Sequence, residues 1–66
     1  MKKFNIVVLD YSGPSVTFYE NVEIDEPAGI ADEGEKIEDY LREKTDHHMS
    51  NCSWMSSESE IEVIHI

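Results

Sequence analysis

Cysteine, basic residues and long apolar runs are all scarce in this chain. Cys52 is the only cysteine, so no intramolecular disulfide can form, whereas short secreted domains usually carry several. The longest unbroken apolar run covers residues 6–9 and is far too short to cross a membrane. The two lysines at positions 2 and 3 are not followed by a signal-peptide pattern, because Asp10 interrupts the apolar segment. We therefore expect a cytoplasmic protein without membrane contact.

The chain is also short, with 66 residues, which predicts one small domain over residues 1–66. A domain of this size buries only about 60% of the surface that its unfolded chain exposes. Its core is then a single layer between a sheet and a helix. Because ligand pockets usually need roughly 300 Å³ or more, we expect no buried active site and no enzymatic activity.

Positive charge is rare, since 5 basic residues accompany 15 acidic ones and the formal net charge is −10. The acidic residues concentrate in residues 20–39, where Lys36 is the only cation. Such a field repels nucleic acids and anionic membranes and attracts basic proteins. Solubility alone is the alternative explanation of the excess charge. If the region binds a basic protein, the candidate partner-binding residues are Glu26, Asp32, Glu33, Glu35, Glu38 and Asp39.

Alternating apolar residues predict two strands at the start of the chain. Residues 3–11 are apolar on both faces, which is typical of a central or well-covered strand. Turn-forming residues 12–15 connect this strand to a second alternating run over residues 16–24, so the pair predicts an antiparallel hairpin. Glu20 falls on the apolar face of the second run, which indicates a strand end, a bulge or an edge position there.

The second half of the chain predicts a loop, a helix and further strands. Residues 25–34 contain Pro, Gly and carboxylates and predict a mobile loop, and residues 33–48 have helical periodicity. Residues 52–56 favour a short strand, and residues 60–66 favour a final one. The fold class is therefore α+β, an antiparallel sheet of three or four strands with one helix packed on one face, in the order ββαβ or ββαββ.

The spacing of residues within these predicted elements indicates a helix cap and a core. Asp32 and Glu35 have the spacing of a capping box at the start of the helix. One period-compatible face of each element predicts a core made of Phe4, Ile6, Val8, Val16, Phe18, Ile37, Tyr40, Leu41, Ile61 and Val63.

The opening MKKFNIVVLDYSG, the single acidic helix and the later C-S-W-M segment resemble small uncharacterised proteins of bacteriophages and other mobile elements of gut bacteria. The resemblance covers both ends of the chain, while the loop over residues 25–34 is longer and more acidic than it implies. It brings no assigned activity and therefore no catalytic residue. What it implies is an accessory role or an interaction with a host protein.

His47, His48 and Cys52 form the only group with metal-ligand chemistry, in an H-H-x₃-C pattern. A structural zinc site needs four ligands, usually in two pairs, and adjacent histidines on a helix point about 100° apart. We therefore predict no metal site and no cofactor, with the histidines favoured by the helix C-terminus instead. Cys52 beside a histidine has the elements of a nucleophile and base, but a small core residue is the favoured interpretation. Trp54 is expected to close the core rather than stand exposed as a binding anchor.

Two functions remain open from the sequence. The first is a protein-interaction module that presents an acidic face to a basic partner, and nucleic-acid mimicry is its extreme form. The second is a structural or assembly protein that forms a homodimer or larger homo-oligomer through a strand edge, with the charge serving solubility only.

Overall fold

The computed structural model describes all residues 1–66 and contains a three-stranded sheet and one long helix. A short 3₁₀ turn, Met49–Asn51, precedes the last strand. The sheet is antiparallel with the strand order β2-β1-β3. The predicted α+β class and the order ββαβ are confirmed. The elements are β1 (Lys2–Asp10), β2 (Ser15–Ile24), α1 (Ile30–Lys44) and β3 (Cys52–Ser57).

The core lies between β1 and α1. Phe4, Ile6 and Val8 project from β1 toward the helix, whose Ile37 and Leu41 are both fully buried. Ile37 and Leu41 are one helical turn apart, so a single stripe of α1 packs on the sheet. These five residues confirm half of the predicted core. Partly buried side chains surround them, namely Tyr19, Tyr40, Met49, Cys52 and Trp54.

A β-bulge in β2 reverses which of its side chains face the core. Phe4 pairs with Val22 but Ile6 pairs with Tyr19, so two residues, Glu20 and Asn21, stand opposite the single residue between Phe4 and Ile6. Asn21 takes the left-handed conformation with φ 56°, which asparagine tolerates better than most residues. The irregularity that Glu20 indicated in the sequence is thus a bulge.

The prediction that Val16 and Phe18 belong to the core is wrong. They are 60% and 40% exposed, whereas Val22 and Ile24, beyond the bulge, are buried. The reason is that side chains alternate with a period of two, so one inserted residue moves every later side chain to the other face.

The predicted final strand over residues 60–66 is also wrong, since residues 58–66 contain neither helix nor strand. The Trp54 segment forms β3 instead and takes the free side of β1. Ile61 is only half-buried and Val63 is 56% exposed, so neither belongs to the core. Because β2 and β3 already pair with both sides of β1, only a solvent-exposed sheet edge was left for this segment.

The helix begins one turn earlier and ends one turn earlier than predicted. Gly29 is its N-cap residue and makes no side-chain capping bond, so the Asp32–Glu35 capping box is not formed. Asp32 instead reaches back and accepts the backbone N–H of Ala28 at 2.9 Å. At the other end the Thr45 hydroxyl donates to the carbonyl of Leu41, which occupies an acceptor that a continuing helix would use. The predicted loop therefore shortens to residues 25–29, and His47 and His48 lie outside the helix.

α1 is neither long enough nor apolar enough to cross a membrane.

Candidate functional site

The solvent-facing side of α1 carries most of the charged groups that the sequence singled out. Glu35 and Asp39 lie two positions before and after Ile37, which turns them about 200° away from the buried stripe. Neighbouring carboxylates extend this surface along the helix. We call it the acidic helix face, and it consists of Asp32, Glu35, Glu38, Asp39 and Glu43.

The predicted partner-binding residues divide between this face and its surroundings. Four of the six lie on it, and Glu43 is a member that the prediction left out although it follows Asp39 by one turn. Glu26 is exposed in the loop before α1. Glu33 lies one turn before Ile37, on the side nearer the sheet, and is half-buried.

Two cations on α1 neutralise part of the acidic helix face. Lys36 Nζ lies 3.5 Å from Asp32 Oδ2, and Arg42 Nη1 lies 2.8 Å from Asp39 Oδ1. Glu35 and Glu43 form no ion pair. Glu38 accepts a hydrogen bond of 3.3 Å from Trp54 Nε1, which joins α1 to β3.

Groups at the start of α1 stabilise the ionised form of Asp32. The backbone N–H of Ala28, and after it the charge of Lys36, lower the pKa of Asp32 below its ordinary value. Asp32 lies in the first turn of α1, where the positive end of the helix dipole also favours an anion. The acidic helix face is therefore anchored at its start by a carboxylate that stays ionised to low pH.

A second polar site lies at the end of the sheet where β1 ends and β3 begins. Asp10 ends β1, Cys52 begins β3 directly opposite it, and His47 comes from the connection between α1 and β3. Their ligand-type atoms all lie within 4.8 Å of one another. The side chains of His47 and Asp10 are only 11% and 14% exposed. We call Asp10, His47 and Cys52 the Asp10 cluster.

Hydrogen bonds fix the orientation of His47 within the Asp10 cluster. Its Nδ1 lies 2.9 Å from Asp10 Oδ2, and its Nε2 lies 2.8 Å from the hydroxyl of Tyr19. Because a carboxylate only accepts, Nδ1 donates to Asp10, and in the neutral ring Nε2 then accepts from Tyr19. Burial raises the pKa of Tyr19, so this hydroxyl remains a proton donor.

Asp10 is held in its ionised form. The Ser12 hydroxyl and backbone N–H both donate to Asp10 Oδ1, at 2.6 and 3.0 Å. These bonds, with the one from His47, hold the pKa of Asp10 well below its usual range, and the Ser12 hydroxyl has the largest effect. Asp10 is therefore an anion that faces both His47 and Cys52.

The geometry opposes a role for Cys52 as a nucleophile. Partial burial, and then the charge of Asp10, raise the pKa of the Cys52 thiol, whereas nucleophilic cysteines need a lowered pKa. Both ring nitrogens of His47 are already engaged with Asp10 and Tyr19. Cys52 packs against the core instead, as predicted for a small core residue.

The H-H-x₃-C pattern separates in three dimensions. His47 and Cys52 come together, but His48 is exposed and does not belong to the Asp10 cluster. An open surface depression of about 420 Å³ adjoins the cluster, and Lys44, Thr45 and Asp46 form part of its wall. Trp54 is half-buried and packs against the core from β3, which agrees with the favoured interpretation of this residue.

No family model, no curated protein and no solved structure matches this chain.

Proposed function

We propose that this chain is a non-enzymatic protein-interaction module whose acidic helix face binds a basic protein segment. The observation that carries the proposal is the division of α1 into two sides. One side is committed to the core through Ile37 and Leu41, and the other leaves carboxylates in solvent. A helix whose apolar stripe is fully used for packing has its polar side free for a partner.

Charge complementarity supports a partner rich in Lys and Arg. Only three of the 15 carboxylates, Glu58, Asp32 and Asp39, form an ion pair with Lys or Arg. The remaining field attracts cationic groups and speeds their encounter with α1. The same field disfavours direct binding to nucleic acids and to anionic membranes.

The spacing along α1 also supports the mimicry form of this function. Asp32, Glu35, Asp39 and Glu43 follow one another at intervals of three or four residues. At about 1.5 Å per residue the row extends for roughly 16 Å along the helix axis. A row of anions of this length resembles a short stretch of nucleic-acid backbone, which suits a groove that normally holds phosphates.

The resemblance to small proteins of bacteriophages and mobile elements supports an accessory role in a host cell, and a cytoplasmic location is part of this proposal. Under this proposal the partner is a host protein with a basic, nucleic-acid-binding surface.

The test removes three charges from α1 and compares the result with an equal change elsewhere. Partners are captured from a bacterial lysate at low and at high salt, identified by mass spectrometry, and purified. Association rates are then measured for wild type and for Glu35→Gln, Glu38→Gln and Glu43→Gln combined, three members of the acidic helix face. We expect association to slow about tenfold, more than dissociation is accelerated, because charge mainly steers the encounter.

The matched control combines Glu58→Gln, Glu60→Gln and Glu62→Gln, which changes the net charge equally in residues 58–66. This control should keep a rate close to wild type, since its carboxylates do not lie on α1. Equal rates and an equal salt dependence for wild type and both variants would rule out the acidic helix face as the binding surface.

A second candidate is self-assembly through the edge of the sheet, and the composition of β3 favours it. β3 (Cys52–Ser57) is an edge strand and contains no charged residue. Natural edges are usually protected by charge or by proline, so β3 offers backbone groups to a second copy. In analytical ultracentrifugation, a dimer that persists at high salt and is lost on Met55→Lys would favour this function over the first.

A further inference from the structure

The Asp10 cluster combines the three ligand types that transition metals take from proteins. A carboxylate oxygen, an imidazole nitrogen and a thiol sulfur come within 4.8 Å of one another. This donor set suits Zn²⁺ and its spectroscopic substitute Co²⁺ better than Mg²⁺ or Ca²⁺, which prefer oxygen. We propose that Asp10, His47 and Cys52 bind one Zn²⁺ ion, with a solvent molecule as the fourth ligand.

The distances between the three side chains are compatible with one ion. A tetrahedral zinc with bonds of about 2.0–2.3 Å places its ligand atoms roughly 3.3–3.8 Å apart. The donor atoms of the cluster are at most 4.8 Å apart, so a pair at that limit needs to approach by about 1 Å. Asp10 Oδ2 and His47 Nδ1 are 2.9 Å apart and need to separate by about 0.5 Å. Asp10 and Cys52 are held opposite each other by the β1–β3 ladder. His47 lies in the irregular connection after α1, so a shift of its backbone breaks no hydrogen bond of the helix or the sheet.

The surroundings supply the second layer of bonds that metal ligands usually have. A histidine that binds a metal through one nitrogen generally donates its other N–H to a fixed acceptor. With the ion on Nδ1 of His47, Nε2 carries the proton and donates to the Tyr19 oxygen at 2.8 Å. The rings of Tyr19 and His47 also pack edge to face, and their centroids are 5.9 Å apart. Both bonds from Ser12 go to Asp10 Oδ1, which leaves Oδ2 directed at His47 and available to the ion.

The fourth position has access to solvent. The depression of about 420 Å³ beside the cluster is lined by both Asp10 and His47, so a water molecule can reach an ion held between them. Three protein ligands and one solvent ligand form an open site rather than a closed structural one. Because the ligands come from β1, β3 and the connection after α1, a bound ion would join these three elements at one end of the sheet.

Cobalt titration tests the site directly. The purified chain is treated with a chelator, dialysed with a non-thiol reductant, and titrated with Co²⁺ while absorption is recorded. We expect a thiolate-to-cobalt charge-transfer band and intense tetrahedral bands in the visible range that saturate at one equivalent. Zn²⁺ should then displace Co²⁺ and abolish both sets of bands.

Substitutions assign the ligands. Cys52→Ser, which is nearly isosteric, should eliminate the charge-transfer band, and His47→Ala should eliminate saturable binding. Tyr19→Phe keeps the three ligands and should weaken metal affinity about 10-fold, as loss of a supporting bond does in other sites. His48→Ala is the matched control, because His48 is exposed and adjacent to His47, and it should bind like wild type. Circular dichroism confirms that each variant is folded.

Absence of a thiolate band at one equivalent of Co²⁺ would overturn the proposal, and the cluster would then be a hydrogen-bonded pair of Asp10 and His47 only. An equal loss of binding in the His47 and His48 variants would also overturn it. In that case the ion would be held by surface histidines rather than by the Asp10 cluster.

Discussion

Asp32 connects the charge of the acidic helix face to the stability of this protein. It lies in the first turn of α1, accepts the N–H of Ala28 and lies near Lys36. A hydrogen bond from a backbone N–H to a carboxylate is stronger than one between neutral groups. The charged form of Asp32 is therefore favoured in the folded chain, and folding stability depends on its protonation.

The resulting pH dependence has a definite sign. Because folding lowers the pKa of Asp32 below its ordinary value of 3.8, the unfolded chain takes up the proton first as the pH falls. The stabilisation by Asp32 is therefore complete above that value and is lost as the pH drops below it. We expect Asp32→Asn to be less stable than wild type at pH 7 and to lose stability less steeply between about pH 4 and pH 2.

Urea unfolding at several pH values measures this effect. Asp39→Asn is the matched control, since Asp39 lies on the same helix and contacts only the exposed Arg42, and exposed pairs contribute little. The expected result is a pH slope near that of wild type for the control and a shallower slope for Asp32→Asn. Parallel curves for wild type and Asp32→Asn would contradict the assignment.

The Asp10 cluster shows what can be predicted from sequence at the scale of single residues. His47 and Cys52 are close along the chain, so their association is a reasonable expectation. Asp10 is separated from His47 by 37 positions, and only the pairing of β1 with β3 brings them together. The pairing of Asp10 with Cys52 could have been inferred, because the last residue of one antiparallel strand lies opposite the first residue of its neighbour. The sequence-based expectation of no metal site rested on His47, His48 and Cys52 alone.

At the scale of elements, β1 is the part that the sequence predicts best. Its two apolar faces indicate a central strand, and it lies between β2 and β3. β2 is predicted as a strand but with the wrong inward face before the bulge. A period-two pattern carries no information about an inserted residue beyond a local irregularity such as Glu20. The helix limits and the position of β3 depend on tertiary contacts, and local periodicity does not specify them.

The bulge predicts that substitutions in the two halves of β2 change the free energy of unfolding by different amounts. Val22 is buried after the bulge and Val16 is 60% exposed before it. Val22→Ala removes two buried carbon groups, so we expect a loss of about 1.5 kcal/mol in the free energy of unfolding at roughly 0.8 kcal/mol for each. Val16→Ala should change this free energy by less than about 0.5 kcal/mol, as exposed substitutions usually do.

Denaturant unfolding of the two alanine variants measures both values, and each removes the same groups from the same strand. A larger loss for Val16→Ala than for Val22→Ala would mean that β2 continues in register without the bulge. Val16 and Phe18 would then face α1, as simple alternation predicts.

For the whole molecule, net charge is the dominant electrostatic feature. The chain measures 34 × 26 × 17 Å and carries a formal net charge of −10. Like charges are therefore never far apart, and their repulsion opposes the compact state. The side chains of the three ion pairs with Lys and Arg keep between 32% and 60% of their surface exposed, and pairs that solvent reaches typically stabilise a fold by roughly 0–1 kcal/mol. Repulsion should consequently outweigh attraction at low ionic strength.

Salt should therefore stabilise this protein. The Debye length falls from about 30 Å at 0.01 M to about 8 Å at 0.15 M. The first value is close to the longest dimension of 34 Å, and the second is about half the shortest dimension of 17 Å. Added NaCl thus screens repulsion across the molecule while affecting close pairs less. A gain of about 1 kcal/mol would raise Tm by roughly 4–8 °C for a domain of this size.

Thermal unfolding followed by circular dichroism at these two salt concentrations tests the expectation, with KCl at equal ionic strength to separate screening from ion-specific effects. The variant with Glu35→Gln, Glu38→Gln and Glu43→Gln carries three fewer negative charges, so its Tm should rise less than that of wild type. It should also be the more stable protein at 0.01 M, because the repulsion that it lacks is strongest there. A Tm that falls with salt would mean that ion pairs such as Lys36–Asp32 outweigh the repulsion. The excess charge would then not lower the free energy of unfolding. In that case the carboxylates of α1 would be tolerated by the fold without any binding partner.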